Sequence, residues 1–400
     1  MTTRRQFLHQ AATAGAALLG TRLAAQVVAP PASPKKIAAI VTAYFRYSHA
    51  DNIVTRFMEG FSIVGKSYPP PCHVASLYID QVDDLDIGRP LAKRWKIPLA
   101  SSITEALTLG GDKLAVDGVV IVGEHGNYPL NEFGQRLYPR RQFFEEVVKV
   151  FKKSGRSVPV FNDKHLSYSW DDAKWMVQQG RDLGFPMMAG SSVPVTYRHP
   201  DLHPMPETPW QAAQSVGYGH FEVYGFHTLE ALQVMTETRV NGETGVKAVQ
   251  ALAGKDVWDA AKAGRWDRSL LDAAVAKVPG KRKGTPEEND VNPLVYLIEY
   301  RDGLNAAAYM SPKHVQEWAF AGRVKGETAP RACWYDLPKP QRDHFSFLVK
   351  HAANMIVTGK TDYPIERTLL TTGMLDFLMH SKADGGKRIE TPQLDVAYRV

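Results

Sequence analysis

From Lys36 to about Val195, short apolar runs alternate with stretches whose apolar positions recur at helical spacing. Ile37–Thr42 reads as a strand. His49–Val64 follows as a helix, with Ile53, Phe57, Met58, Phe61 and Ile63 broadly on one face. His73–Ile79 is a second strand, closed by Asp80. Leu91–Trp95 and Ile103–Leu109 are short helices, the second capped by Ser102. The run GVVIV, Gly118–Val122, has no polar position, as expected of a strand covered on both faces. Phe143–Lys153 is a helix, with Phe144, Val147, Val148 and Phe151 on one side. Val158–Phe161 is a strand. Ser169–Leu183 is a helix capped by Ser169, with Asp171 and Asp172 placed well for its dipole. Pro186–Ala189 closes this half. Such alternation predicts a doubly wound parallel sheet, whose ligands bind at the carboxyl ends of the strands.

The second half changes period. Leu294–Tyr300 and Leu304–Met310 flank Arg301-Asp302-Gly303, a hairpin signal. Helices are expected at Leu229–Arg239 and His344–Val357. The predicted fold class is therefore α/β, a Rossmann-like doubly wound parallel sheet over residues 36–195. An α+β domain with an open mixed or antiparallel sheet follows over residues 196–400. Gly254–Asp290 reads as an insertion with one helix and a flexible loop.

Composition adds little to the fold: 44% hydrophobic and 22% charged is ordinary for a globular chain. Residues 1–25 change the picture more. Arg4-Arg5 precede Phe7-Leu8 and an Ala-rich apolar stretch with a cleavage-like Leu23-Ala24-Ala25, the architecture of a twin-arginine export signal. Arg22 interrupts the stretch, so no membrane span is expected once the signal is removed. Residues 26–35, rich in Pro and Ala, read as a linker. The expected location is the periplasm or beyond. Three arginines of this segment account for half of the net charge of +6. The remainder is too dispersed to argue for nucleic acid. Cys72 and Cys333 read as free buried thiols.

The candidate chemistry lies just after each strand. His49 and Asp51 follow the first, Asp80 the second, Glu124 and His125 the third, and Asp163, Lys164 and His165 the fourth. Ser191 and Ser192 follow the last. The turn after the first strand, Thr42 to His49, contains no glycine, whereas dinucleotide-binding turns carry G-x-G-x-x-G.

The segments DGVVIVGEHGNYP, PVFNDKHLSYSWDDAKWMVQQGRDLGFPMMAGS, GFHTLEAL, LAKRWKIPLASSITEAL and MIVTGKTDYPIERTLLTTGMLDFLMHS resemble the Gfo/Idh/MocA oxidoreductases. The resemblance runs from about Lys36 to the end of the chain. It implies hydride transfer between NAD or NADP and a sugar or cyclitol hydroxyl. The family's E-K-P falls on Asp163-Lys164-His165, which implies that Lys164 contacts substrate and nicotinamide. Its D-x-G-x-H falls on Val223 to His227, which implies a proton-transfer or substrate-binding role for His227. The family's Asp is Val223 here, with Glu222 one place off. On this reading Lys164 and His227 are catalytic, and Ser48, Asp80, Glu124, His125 and Asp163 surround the cofactor, Asp80 on a ribose hydroxyl. Dimers or tetramers through the open sheet of the second domain are also implied.

Two alternatives keep the fold and drop the dinucleotide. In one, His49, Asp51, Glu124, His125, Asp163 and His165 bind a divalent metal for hydrolysis or elimination on a carbohydrate. The other is a non-catalytic carbohydrate-binding relative.

Overall fold

A computed structural model describes residues 34–70, 72–339 and 342–400. The expected export signal, residues 1–25, and all but the end of the linker lie outside the described residues. The chain opens with β1 (Lys35–Val41), α1 (His49–Glu59), a hairpin of β2 (Phe61–Ile63) and β3 (Lys66–Tyr68), and β4 (Cys72–Ile79). Next come α2 (Gly88–Trp95), α3 (Ile103–Thr108), β5 (Gly118–Val122), α4 (Arg140–Ser154), β6 (Val160–Asp163), α5 (Trp170–Asp182) and β7 (Met187–Gly190). The helix expected over 49–64 stops at Glu59. Gly60 enters the left-handed region (φ 83°), and its N–H caps Arg56 O at 3.1 Å. The segment then turns back as the hairpin.

Strands β4-β1-β5-β6-β7 form a five-stranded, all-parallel sheet. A single parallel bridge joins Leu99 to Leu77 on the outer side of β4. Counting it, the strand order in chain sequence is 3-2-1-4-5-6, that of dinucleotide-binding folds. The order reverses between β1 and β5, so a ligand crevice belongs at their carboxyl ends.

Alternation along β1 divides two cores. Ile37, Ala39 and Val41 face α1 and a late helix, α10 (His344–Thr358), while Ala38 and Ile40 face the layer of α3 and α4. Each fully buried Ile or Val here contributes about 1.5–3 kcal/mol of transfer free energy. Gly118 lets α10 approach, because a Cβ there would lie 2.8 Å from Ile356 Cγ2. Thus α10, late in the chain, helps to cover the first sheet.

The remaining strands are β8 (Tyr197–His199), β9 (Trp210–Tyr218), β10 (Val246–Ala253), β11 (Leu294–Tyr300), β12 (Asn305–Ser311), β13 (Trp318–Val324), β14 (Arg331–Asp336) and β15 (Ile389–Glu390). They form one mixed sheet in the order β15-β10-β11-β12-β9-β13-β14-β8. The Asp302-Gly303 hairpin forms as predicted, with Leu294 opposite Met310 and Gly303 at φ 91°. One face carries α6 (Val223–Thr236) and α11 (Ile365–Ala383). The other face is covered by the segment read as an insertion with one helix and a flexible loop. It forms α7 (Lys255–Lys262), α8 (Arg268–Lys277) and the short α9 (Pro286–Asn289). Leu270, Leu271 and Val275 pack on Val295, Leu297 and Ala321, and Trp266 Nε1 donates to Val257 O at 3.0 Å. The insertion carries enough apolar surface to form a layer, more than the one helix and flexible loop expected of it. Cys72 and Cys333 are free and buried. Among the described residues, no helix is long and apolar enough to cross a membrane.

Candidate functional site

The carboxyl edge of the first sheet is built from unusual backbone. The turn after β5 holds His125 at φ 71° and Gly126 at φ 100°, and Lys164, just past β6, is at φ 62°. Left-handed conformations cost non-glycine residues about 1–3 kcal/mol and concentrate at functional sites. Lys164 is held there by reciprocal backbone bonds with Gly190, N–H to O at 3.1 Å and O from N–H at 3.0 Å.

These turns bring Glu124 and Lys164 together in a charged cluster. Lys164 Nζ lies 3.0 Å from Glu124 Oε1, and Arg140 Nη2 donates to Glu124 Oε2 at 2.7 Å. All three side chains are buried. Burial alone would raise the Glu124 carboxyl, but Lys164 and Arg140 overcome it and hold the group well below the usual carboxylate range. Arg140 also lies 3.2 Å from both ring nitrogens of His165, whose Nδ1 meets Ser167 O at 2.8 Å. Burial and the Arg140 charge push His165 well below its ordinary pKa.

Helix α6 completes the cluster from the second half of the chain. His227 Nδ1 is 2.9 Å from Ser191 Oγ, and Ser191 binds both oxygens of Glu230, through N–H at 2.9 Å and through a short hydroxyl contact. Burial, with Lys164 and His49 nearby, drives His227 well below its usual pKa. Burial pushes Glu230 up to about 7. Glu222, just ahead of α6, lies 3.9 Å from His165 Nε2, and neither of its oxygens has a hydrogen-bond partner. It too is pushed up to about 7 by burial, against the pull of Arg140.

His49 Nδ1 meets Asp163 Oδ2 at 2.7 Å, and the His49 and His125 rings are 5.6 Å apart. Burial pushes His125 down to about 4, although Glu124 opposes the shift. Its Nε2, Asp163 Oδ1, Asn162 Oδ1 and the Glu222 oxygens are all shielded and unpartnered. With Arg140 Nε, they make up half of such side-chain atoms among the described residues. Buried polar groups left unpaired are costly, and a ligand is one reason to keep them.

A cavity of about 580 Å³ opens at the reversal of strand order. Ala43 and Phe45 after β1, Gln81–Asp83 after β4, and His125–Asn127 after β5 line it, with Arg136 and Tyr138. Its size falls within the roughly 300–1,000 Å³ of small-molecule sites. Asp80 stands beside it, accepting from Tyr78 Oη at 3.0 Å and Tyr128 Oη at 2.6 Å.

The glycine-free turn is filled by its own side chains. Tyr44 is buried, and its hydroxyl donates to Thr55 Oγ1 at 2.8 Å, which in turn donates to Asp51 Oδ1 at 2.9 Å. Asp51 Oδ2 accepts from Tyr47 N–H at 2.8 Å, and Ser48 Oγ accepts from Asp51 N–H at 3.2 Å. Ser48 and Asp51 therefore cap α1 rather than face the crevice. Tyr47 lies half-exposed between the guanidinium groups of Arg46 and Arg342.

This arrangement corrects the metal alternative. His49, Glu124, His125, Asp163 and His165 are neighbours, but with Asp51 they do not aim free donor atoms at one point. Asp51 is spent on the helix cap, Glu124 on two cations, and His165 on Ser167 O and Arg140. Among the described residues, no group of three or more His, Cys, Asp or Glu is placed to hold a metal ion. The predicted Lys164, Glu124, Asp163, His125 and His227 do share one neighbourhood. Sequence reasoning missed Arg140 and Glu230. A signal existed for each: Arg140-Arg141 opens a helix at the end where cations are unfavourable, and Glu230 is a charge in a helix apolar on nearly every side.

No protein-family model matches the sequence, and no curated protein does. Solved structures do match. GenD2 from gentamicin A biosynthesis, in complex with NAD, superposes with a TM-score of 0.54 at 14% identity, covering 90% of this chain and 96% of that one. A putative myo-inositol dehydrogenase from Sinorhizobium meliloti gives 0.54 at 11% identity, covering 89% and 99%. An apo scyllo-inositol dehydrogenase from Lactobacillus casei gives 0.55 at 9% identity, covering 90% and 98%. At these identities the likeness is one of fold: a parallel five-stranded sheet followed by a mixed-sheet domain.

Proposed function

We propose that the chain is an exported oxidoreductase of the Gfo/Idh/MocA kind, using NAD or NADP on a hydroxyl of a sugar or cyclitol. The observation that carries the reading is the buried junction of Lys164, Glu124 and His227 at the carboxyl edge. There a lysine paired to a carboxylate and a neutral histidine stand together beside the crevice of a dinucleotide-type sheet. The fold shared with inositol dehydrogenases and with the NAD-bound GenD2 supports it.

The residues fit the cofactor in part. The crevice lies at the reversal of strand order, Asp80 stands where a ribose hydroxyl would be read, and the unpartnered His125 Nε2 belongs to a residue lining the cavity. The pyrophosphate end fits less well. A helix N-terminus attracts phosphate through free amides and a positive dipole end. Here Asp51 supplies an anion at that end, and residues 42–47 all carry Cβ atoms. A dinucleotide loaded before twin-arginine export suits so hindered a turn.

When bound, NAD(P) supplies the hydride acceptor. The chain's own part is with the proton and the oxygen. Lys164, held by Glu124, donates a hydrogen bond to the substrate oxygen. His227 is neutral, so a nitrogen lone pair is available to the hydroxyl proton. Nicotinamide dinucleotide binding tests the assignment of the crevice. The expected result is a thermal shift with NAD or NADP that is lost when Gly126→Trp fills the cavity wall. An equal shift in that variant places the cofactor elsewhere.

A further inference from the structure

We propose that His227, Ser191 and Glu230 form a proton relay in which a proton accepted at His227 Nε2 comes to rest on Glu230. The inference rests on the reading of His227 as acceptor of a substrate proton, but its wiring is testable without substrate.

His227 and Glu230 are three residues apart on α6 and share a face. Ser191, immediately after β7, lies between them. The backbone N–H of Ser191 can only donate, so Glu230 Oε1 is always an acceptor. Direction along the rest of the chain is therefore set by Glu230 Oε2. With Glu230 ionised, the Ser191 hydroxyl donates to Oε2, and Ser191 Oγ accepts from His227 Nδ1–H. The one proton of the neutral imidazole is then on Nδ1. Nε2 keeps its lone pair and has no hydrogen-bond partner among the described residues.

A proton arriving at Nε2 makes a new N–H bond there. The Nδ1–H proton passes to Ser191 Oγ, and the Ser191 hydroxyl proton passes to Glu230 Oε2. One carboxylate becomes a carboxylic acid, serine is unchanged, and the imidazole ends neutral as the other tautomer. No buried imidazolium survives, which matters because burial and Lys164 disfavour it. Glu230, lifted to about 7, takes up the proton near neutrality.

The groups facing Glu230 permit this exchange. Arg367 on α11 is engaged by Glu237 at 2.9 Å, and Lys164 by Glu124 at 3.0 Å. Tyr363 faces it with a phenol whose pKa burial raises, and His227 is its neighbour on α6. Neither cation forms an ion pair with Glu230 that would pin it as a carboxylate. Gly190 keeps the approach open, since a Cβ there would lie 2.8 Å from Glu230 Oε1.

The test is the tautomer of His227, read from ring-nitrogen shifts in the full chain labelled at histidine. The signal is assigned by its loss in His227→Gln. The wild type should carry Nδ1–H above a midpoint of about 7 and Nε2–H below it. Glu230→Gln must keep its oxygen on Ser191 N–H, so its amide donates to Ser191 Oγ and locks Nε2–H at every pH. Ser191→Ala should abolish the switch, and Ser191→Thr should restore it. A wild-type tautomer unchanged across neutrality, or Nδ1–H retained in Glu230→Gln, overturns the relay. A switching tautomer in a protein that reduces no nicotinamide keeps the relay and removes the oxidoreductase reading. Turnover with a fixed tautomer does the reverse.

Discussion

Glu124→Gln isolates the centre of the site. The wild-type carboxylate is shared by Arg140, 0% exposed, and Lys164, 2% exposed. Glutamine keeps the shape and one acceptor oxygen. Its amide turns a donor toward whichever cation loses the other oxygen, leaving a buried charge without a counter-ion. Removing one partner of a buried pair typically costs about 3–5 kcal/mol. With two cations dependent on one acid, the upper half of that range is expected. Urea unfolding followed by circular dichroism at neutral pH measures it. Glu145→Gln, which removes an exposed partner of Arg141, is the control and should cost less than about 1 kcal/mol. The pH dependence carries a sign. The folded pKa of Glu124 is depressed, so its contribution is complete above the unfolded carboxylate value of about 4.3. It is lost only as pH falls through the lower folded value. The gap between wild type and variant should therefore persist through mildly acidic pH and close under strong acid. A variant no less stable than the Glu145→Gln control would refute the reasoning.

Other outcomes follow from neighbouring residues. Glu222, pushed up to about 7, keeps its proton in the folded state where the unfolded chain has lost it, so stability falls as pH rises from about 4.3 to 7. Glu222→Gln should match wild type at the acidic end and exceed it by up to about 4 kcal/mol above neutrality in the same urea experiment; equal stability at both ends would show that Glu222 is solvated. Asp51→Asn removes the anion at the α1 N-terminus and should tighten NAD or NADP binding several-fold by calorimetry, whereas weaker binding would mean that Asp51 assists the cofactor. Gly190→Ala places a Cβ at φ 121°, 2.8 Å from Glu230 Oε1 and 3.2 Å from Thr368 Oγ1. It should lower stability by at least about 1–3 kcal/mol, and a melting temperature unchanged from wild type would contradict that packing.

Much of the architecture was legible because local and global signals agreed. GVVIV reads as a doubly covered strand and is buried at every position, and Ser169 caps the helix expected of it. Asp302-Gly303 closes the predicted hairpin. The strand-end rule found Lys164, Glu124, Asp163 and His125, because topology brings carboxyl ends together whatever the sequence separation. It could not tell a side chain aimed at the crevice from one that caps a helix, which is why Asp51 and Ser48 entered the candidate lists. Nor could it supply Arg140. That partner is set by where α4 begins, and its only trace was a pair of cations at the wrong end of a dipole. Segment 254–290 was misread for a related reason: its apolar residues are spread over two short helices that gain a face only against the second sheet.

The central claim is hydroxyl oxidation at Lys164 and His227. The direct measurement is appearance of reduced nicotinamide when the purified full chain is given NAD or NADP with a panel of cyclitols and hexoses. The account predicts turnover of at least one member, abolished by Lys164→Met with the fold intact by circular dichroism. Absence of turnover across the panel with no binding of either dinucleotide, or turnover untouched by Lys164→Met, would contradict it.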